Sequence, residues 1–138
     1  MVVFVDTSAF YALLDGVDPN HGRATRFWAE LMAANGDDSV LFTTNYVILE
    51  TISLIQRRLG MDAVRAFQRN VIGSMTIVWL DETLHQVGVE QVLTANRRQL
   101  SLVDCTSFAT MRSRGVTRAF AFDHHFAEQG FTLLPEAA

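Results

Sequence analysis

The sequence predicts an α/β layered domain built on a mostly parallel sheet. Short apolar runs alternate along the chain with longer segments of helical period. The first run, Val2-Val3-Phe4-Val5, is apolar throughout, as a strand covered on both faces is. Three such runs pass directly into helix-capping residues: Asp6, then Thr44-Asn45, then Asp81.

Residues 2–5 form the first strand and lead into a short helix over 8–14. Asp18-Pro19 restarts the chain, with Asp as N-cap and Pro at the first helical position. Ala24, Phe27, Trp28, Leu31 and Met32 recur at helical spacing, and Gly36 ends that helix. Residues 39–43 are the second strand. Thr44 or Asn45 caps a helix over 46–59, closed by Gly60. That helix carries two apolar stripes, Val47-Thr51-Leu54 and Ile48-Ile52-Ile55-Leu59, a width that implies burial on two sides or a partner surface. A further helix spans 61–72, anchored by Val64, Phe67 and Val71. The third strand covers 76–80, and Asp81 caps a helix over 82–97. Ser101 opens the next helix, which ends at Gly115. A strand over 118–122, a helical turn over 124–129 and a last strand over 131–134 complete the order. With no internal repeat or linker, residues 1–138 read as a single domain.

Composition excludes whole classes. Hydrophobic content of 49% with only 19% charged residues indicates a globular chain. No secretory leader pattern is visible, and the longest apolar-rich run, 71–80, is too short for a bilayer and is broken by Gly73 and Ser74. Cys105 is the only cysteine, so no internal disulfide can form. The expectation is a cytoplasmic protein without a membrane partner. All 11 basic residues are arginine; lacking lysine, the chain has no P-loop, Schiff-base or kinase-type lysine chemistry. The net charge of −4 means that any nucleic-acid contact is local and helped by metal.

Four acids then stand out. Asp6 and Asp123 each follow a strand, Glu50 sits in the most apolar helix, and Asp104 lies in the first turn after Ser101. Singly, each has a plain reading: a helix cap for Asp6 and for Asp123, a capping box with Ser101 for Asp104, and for Glu50 either snorkelling or an ion pair with Arg57 or Arg58. In a parallel layer, strand C-termini and helix N-termini share one edge of the sheet, so all four can converge. Converging carboxylates need a cation. Hard oxygen donors without a cysteine pair or a spaced histidine pair suit Mg²⁺ or Mn²⁺ and not zinc. Such ions serve in-line displacement at phosphorus. His124 and His125 can also ligate, but helical neighbours point about 100° apart, so both cannot reach one ion, and each is read as a surface imidazole. His21 and His85 fall on polar helix faces and receive no function.

Four blocks carry a family likeness: Val5-Asp6-Thr7-Ser8-Ala9-Phe10, Thr44-Asn45-Tyr46-Val47-Ile48-Leu49-Glu50-Thr51, Ser101-Leu102-Val103-Asp104-Cys105-Thr106-Ser107-Phe108-Ala109 and Ala121-Phe122-Asp123-His124-His125-Phe126. In this order and spacing they resemble PIN-domain ribonucleases, most closely the VapC toxins of VapBC toxin–antitoxin systems. The resemblance implies a three-layer α/β/α PIN-like fold and Mg²⁺- or Mn²⁺-dependent endonucleolytic cleavage of RNA. It also implies homodimerisation and neutralisation by a VapB-type antitoxin. By motif position Asp6, Glu50, Asp104 and Asp123 form the acidic quartet, the metal ligands and catalytic residues, with Ser8 in support. The chain departs from the pattern around Asp123, with Ala121 where relatives often carry Ser or Thr and His124 where they often carry Arg or Lys.

Other classes fit less well. A haloacid-dehalogenase-type phosphatase needs a second Asp at position 8 and a downstream lysine; the chain has Ser8 and no lysine. A dinucleotide-binding module needs a glycine-rich first turn, and Asp6-Thr7-Ser8-Ala9 has none. The remaining alternative is a catalytically inactive PIN-like domain that binds RNA or protein without cutting.

Overall fold

The computed structural model describes residues 1–34 and 39–137. In chain order the elements are β1 (Val2–Val5), α1 (Thr7–Leu14), α2 (His21–Ala33), β2 (Val40–Thr44), α3 (Asn45–Arg58), α4 (Met61–Ala66), β3 (Thr76–Val78), α5 (Glu82–Ala95), α6 (Leu102–Ser113), β4 (Arg118–Phe120), α7 (His125–Glu128) and β5 (Thr132–Leu134). The five strands make one sheet in the order β3-β2-β1-β4-β5. Every neighbouring pair is parallel. The fold is the α/β class the sequence predicts, with a sheet parallel throughout.

Side chains alternate across a strand, so register sorts the core into two faces. Phe4 stands beside Ala119 and Phe42, while Val5 stands beside Phe120. The Phe4 face is covered by α6 and α7: Phe4 lies 6.0 Å from Phe126, which meets Phe108 edge-on at 4.9 Å. The other face is covered by α2, whose Phe27 meets Phe120 at 4.9 Å. Phe4, Phe10, Phe67, Phe108, Phe120 and Phe126 are fully buried, so aromatic packing on both sides clamps β1 at the centre. On α3 the fully buried stripe is Val47, Thr51 and Ile55, whereas Ile48, Ile52 and Leu59 are partly buried and Leu49 is exposed. At the α5–α6 crossing, a Cβ on Gly88 would come within 2.3 Å of the Thr106 methyl, so only glycine allows that approach.

Several boundaries move for identifiable reasons. α2 starts at His21 and not at Pro19, because Asp18 closes a turn first: its Oδ1 accepts from Asn20 N at 2.8 Å and its carbonyl from His21 N. The expected stop at Gly36 lies outside the described residues. Beyond α4 the helix widens into a π turn over Phe67–Val71 and tightens again over Ile72–Ser74. β3 stops at Val78 because the Leu80 N–H is taken by the Asn45 side chain at 2.8 Å. β4 stops at Phe120, and the Phe122 N–H goes to Ser8 Oγ at 2.9 Å. α5 ends at Ala95 because Asn96 turns left-handed, at φ 52°. Among the described residues no helix is long and apolar enough to cross a membrane.

Candidate metal centre at the carboxyl edge of the sheet

The chain leaves β1 in one direction across the sheet and returns to β4 on its other side. Between those two strands lies the topological switch point, where open parallel sheets form their crevice. A cavity of about 440 Å³ opens there, lined by Asp6, Ser8, Glu50, Asp104 and Asp123 among others. All four acids singled out in the sequence, and Ser8, thus meet at one place. Among the described residues lining it, none is basic.

Each acid is held by the local structure its sequence dictates. Asp6 is the N-cap of α1: its Oδ2 accepts from Ser8 N at 3.1 Å and from Ser8 Oγ at 2.7 Å. The same hydroxyl accepts from Phe122 N, tying the exit of β1 to the exit of β4. Asp104 completes the capping box, its Oδ2 accepting from Ser101 N while Ser101 Oγ accepts from Asp104 N. The cap readings of Asp6 and Asp104 are therefore right, and each engages a single carboxylate oxygen; the N-cap of α7 is His124 and not Asp123. Glu50 makes no ion pair with Arg57 or Arg58 among the described contacts. Arg58 instead lies over the Tyr11 ring at 5.8 Å, and Glu50 lines the cavity. Asp123 Oδ1 accepts from His125 N at 2.9 Å.

Electrostatics mark the cavity as short of positive charge. Burial pushes the Asp6 carboxyl up to about 7; the Ser8 hydrogen bonds oppose this, and the charges of Asp104 and Glu50 add to it. Glu50 is raised chiefly by burial, opposed by the Thr7 hydroxyl and reinforced by Asp104 and Asp123. Asp104 is raised by burial too, against the Ser101 backbone hydrogen bond and with Asp123 adding. A divalent cation reverses this balance for all of them, and a set of hard carboxylate oxygens is what Mg²⁺ or Mn²⁺ takes.

One sequence expectation needs correction. His124 is a surface imidazole, its side chain 75% exposed, but His125 is not: it is 9% exposed. The neighbouring Phe126 packs between Phe4 and Phe108, which draws α7 into the core and His125 with it. His125 Nδ1 lies 3.0 Å from Asp123 Oδ1. His21 and His85 are also engaged, His21 with the Ala12 carbonyl and His85 with the Tyr46 hydroxyl. The cavity further includes Tyr11, Asp18, Asn20 and Gln99, none of which the sequence singled out as site residues. Tyr11 was findable, lying one helical turn after Thr7 and Ser8. Asp18 and Asn20 lie in the segment 15–22, a candidate from the sequence for substrate choice, whereas no local signal marks Gln99.

Known proteins with this architecture share its sequence features. The PIN domain family model matches residues 3–131. The 23S rRNA-specific endonuclease VapC20 of Mycobacterium tuberculosis is 37% identical over 133 residues, covering 94% of this chain and 95% of the relative. The crystal structure of M. tuberculosis VapC20, described as a sarcin-ricin loop cleaving toxin, superposes with a TM-score of 0.81 at 34% identity, covering 96% of this chain and 97% of that one. PAE2754 from Pyrobaculum aerophilum, at 19% identity and a TM-score of 0.61 over 97% of this chain and 90% of its own, shares the fold. The chain belongs to the PIN-domain family.

Proposed function

We propose that this chain is a VapC-type toxin, a metal-dependent endoribonuclease that hydrolyses RNA phosphodiester bonds in the acid-lined cavity. The observation that carries this is the convergence of Asp6, Glu50, Asp104 and Asp123 on one cavity with no basic side chain among its described lining. A docking module that did not cut would have no use for that accumulation of repelling charge. Mg²⁺ is the proposed ion, with Mn²⁺ able to replace it, and Asp6, Glu50, Asp104 and Asp123 are its proposed ligands. When bound, the ion polarises the phosphate and makes water a stronger nucleophile.

The chain's own residues prepare for that. Ser8 fixes Asp6 through Oδ2, so the carboxylate needs no reorientation when substrate arrives. Ser101 does the same for Asp104. The N-termini of α1 and α6, which begin beside these acids, favour negative charge there.

The relatives suggest the substrate. At 37% identity to a 23S rRNA-specific endonuclease, the proposed target is the sarcin-ricin loop of that RNA. The proposed partner is a VapB-type antitoxin that places a basic side chain at the acids. A homodimer is also proposed, through the exposed side of α3, where Tyr46, Leu49, Leu102 and Val103 surround an apolar cavity of about 450 Å³. Residues 1–138 act as one domain in this reading, and an RNA target places the action in the cytoplasm.

Incubating purified protein with ribosomes in Mg²⁺ or Mn²⁺ and mapping the new RNA ends tests the activity and its site together. A single cut in the sarcin-ricin loop, abolished by Asp6→Asn, is expected. RNA that is bound but never cut in either metal would leave only the docking alternative. Sedimentation of the free protein as a monomer would remove the dimer.

A further inference from the structure

We propose that His125 is itself a ligand in this centre: its Nδ1, with one oxygen each from Asp104 and Asp123, forms a mixed nitrogen–oxygen site that favours Mn²⁺ over Mg²⁺. The proposal rests on the metal-dependent reading above and assigns a residue that the acidic quartet does not include.

Three observations support it. His125 is 9% exposed, and its Nδ1 is a buried polar atom without a hydrogen-bond partner. Such an atom is costly to leave unsatisfied, by about 1–3 kcal/mol, and calls for an explanation. Second, Nδ1 lies 3.0 Å from Asp123 Oδ1 without forming a hydrogen bond to it; that oxygen accepts instead from the His125 backbone N–H at 2.9 Å. Two potential ligand atoms therefore stand side by side. Neighbouring ligands of an octahedral ion at about 2.1 Å stand about 3.0 Å apart, which is the spacing found. Third, one ligand atom from each of Asp104, Asp123 and His125 lies within 4.8 Å of the others.

The competing set on the same turn is His124, His125 and Glu128. Glu128 is already held by Arg97 at 3.0 Å, and its carboxyl is lowered by that hydrogen bond, so it is committed elsewhere. In the deeper set the carboxylates accept only from backbone N–H groups among the described hydrogen bonds, Asp104 from Ser101 and Asp123 from His125. As a ligand, His125 would bind through Nδ1 and carry its proton on Nε2. Imidazole suits transition ions, whereas Mg²⁺ keeps to oxygen, hence the preference for Mn²⁺.

Pulsed electron paramagnetic resonance of the Mn²⁺-loaded protein tests this without reference to activity. Nitrogen modulation from a directly bound imidazole is expected. It should change isotope pattern when the wild-type protein carries histidine labelled with heavy nitrogen, a control that needs no mutation. His124→Ala should keep the signal and His125→Asn should lose it. Losing even the partner of a metal ligand costs about 10–100-fold in affinity, so His125→Asn should weaken Mn²⁺ binding at least about tenfold, with a smaller change for Mg²⁺. Mn²⁺ binding that Asp6→Asn abolishes, but with no nitrogen modulation, would overturn the role of His125 and leave the nuclease reading standing. Absence of Mn²⁺ binding altogether would overturn both.

Discussion

β1 and β4 lie side by side, and each releases its chain toward an aspartate, yet the two acids sit in different surroundings. Asp6 is 4% exposed, immediately caps an eight-residue helix and has one oxygen locked by Ser8. Asp123 has a side chain 26% exposed, precedes a helix of only four residues and shares its Oδ1 with the backbone of His125. The same local pattern, apolar strand then acid, has produced one buried, pre-oriented carboxyl and one partly open to water. What decides is the next few residues. A full helix after β1 seals its acid in; a short turn after β4 leaves its acid adjustable and brings in a histidine.

The comparison breaks most directly at the acids themselves. Asp6→Asn exchanges charge for nearly equal volume, and the amide oxygen can still accept from Ser8. Activity in saturating metal should fall on the order of a thousandfold, while the fold survives. Asp123→Asn should cost less, on the order of tenfold to a hundredfold, because water can fill in at the open exit. Single-turnover cleavage of both variants decides; equal losses would erase the distinction between the two exits.

The metal-free protein offers a second contrast, in stability against pH. Burial raises the Asp6 carboxyl from its ordinary 3.8 to about 7 in the folded chain, so the native state holds the extra proton between those limits. The stability contributed by this group is therefore fully present below about pH 4, falls as pH rises toward 7 and is lost above it, by at most about 4 kcal/mol. The raised carboxyls of Glu50 and Asp104 act in the same direction. Melting curves in chelator should show that decline, and Mn²⁺ should reverse it by binding only the native state. Asp6→Asn should remove most of the slope; Asp123→Asn should leave most of it. A flat wild-type profile would mean that water relieves the buried charge.

Ser8→Ala probes the link between the exits. It removes the hydroxyl that donates to Asp6 and accepts from Phe122 N. A loss of about 1–2 kcal/mol of stability is expected, since a backbone N–H is left without its partner. Cleavage should drop by roughly tenfold as Asp6 loses its orientation. Ser8→Thr should restore both, because it keeps the hydroxyl.

Much of this arrangement was legible beforehand, for physical reasons. Valine- and phenylalanine-rich runs marked the strands because a covered parallel sheet tolerates little else. The four acids were legible because strand ends and helix starts share an edge, whatever the packing. The lost details are those set by distant partners. Nothing near Phe122 says that its N–H will find Ser8 and end β4, and nothing near Leu80 says that Asn45 will intercept it. The depth of His125 was misread because it depends on Phe126 reaching Phe4 and Phe108, contacts made across the sheet and not along the chain. Gln99 joins the cavity from a loop with no pattern of its own.

The smallest expected effect belongs to His124, the adjacent histidine at the β4 exit. The family pattern carries Arg or Lys at this position, so His124→Arg tests whether a fixed charge there matters. Its imidazole is 75% exposed, with Nε2 3.3 Å from Glu128 and Nδ1 4.0 Å from Asp123. Glu128 is itself neutralised by Arg97, so the contact of His124 with it is made to a satisfied carboxylate. A screened interaction at that exposure contributes little. His124→Arg should therefore change cleavage by less than about threefold at any pH, and its rate profile from about pH 6 to about pH 9 should run parallel to the wild type. A variant that gains rate only on the alkaline side would show that the exposed histidine reaches the phosphate after all, and would make the β4 exit the titrating half of the site.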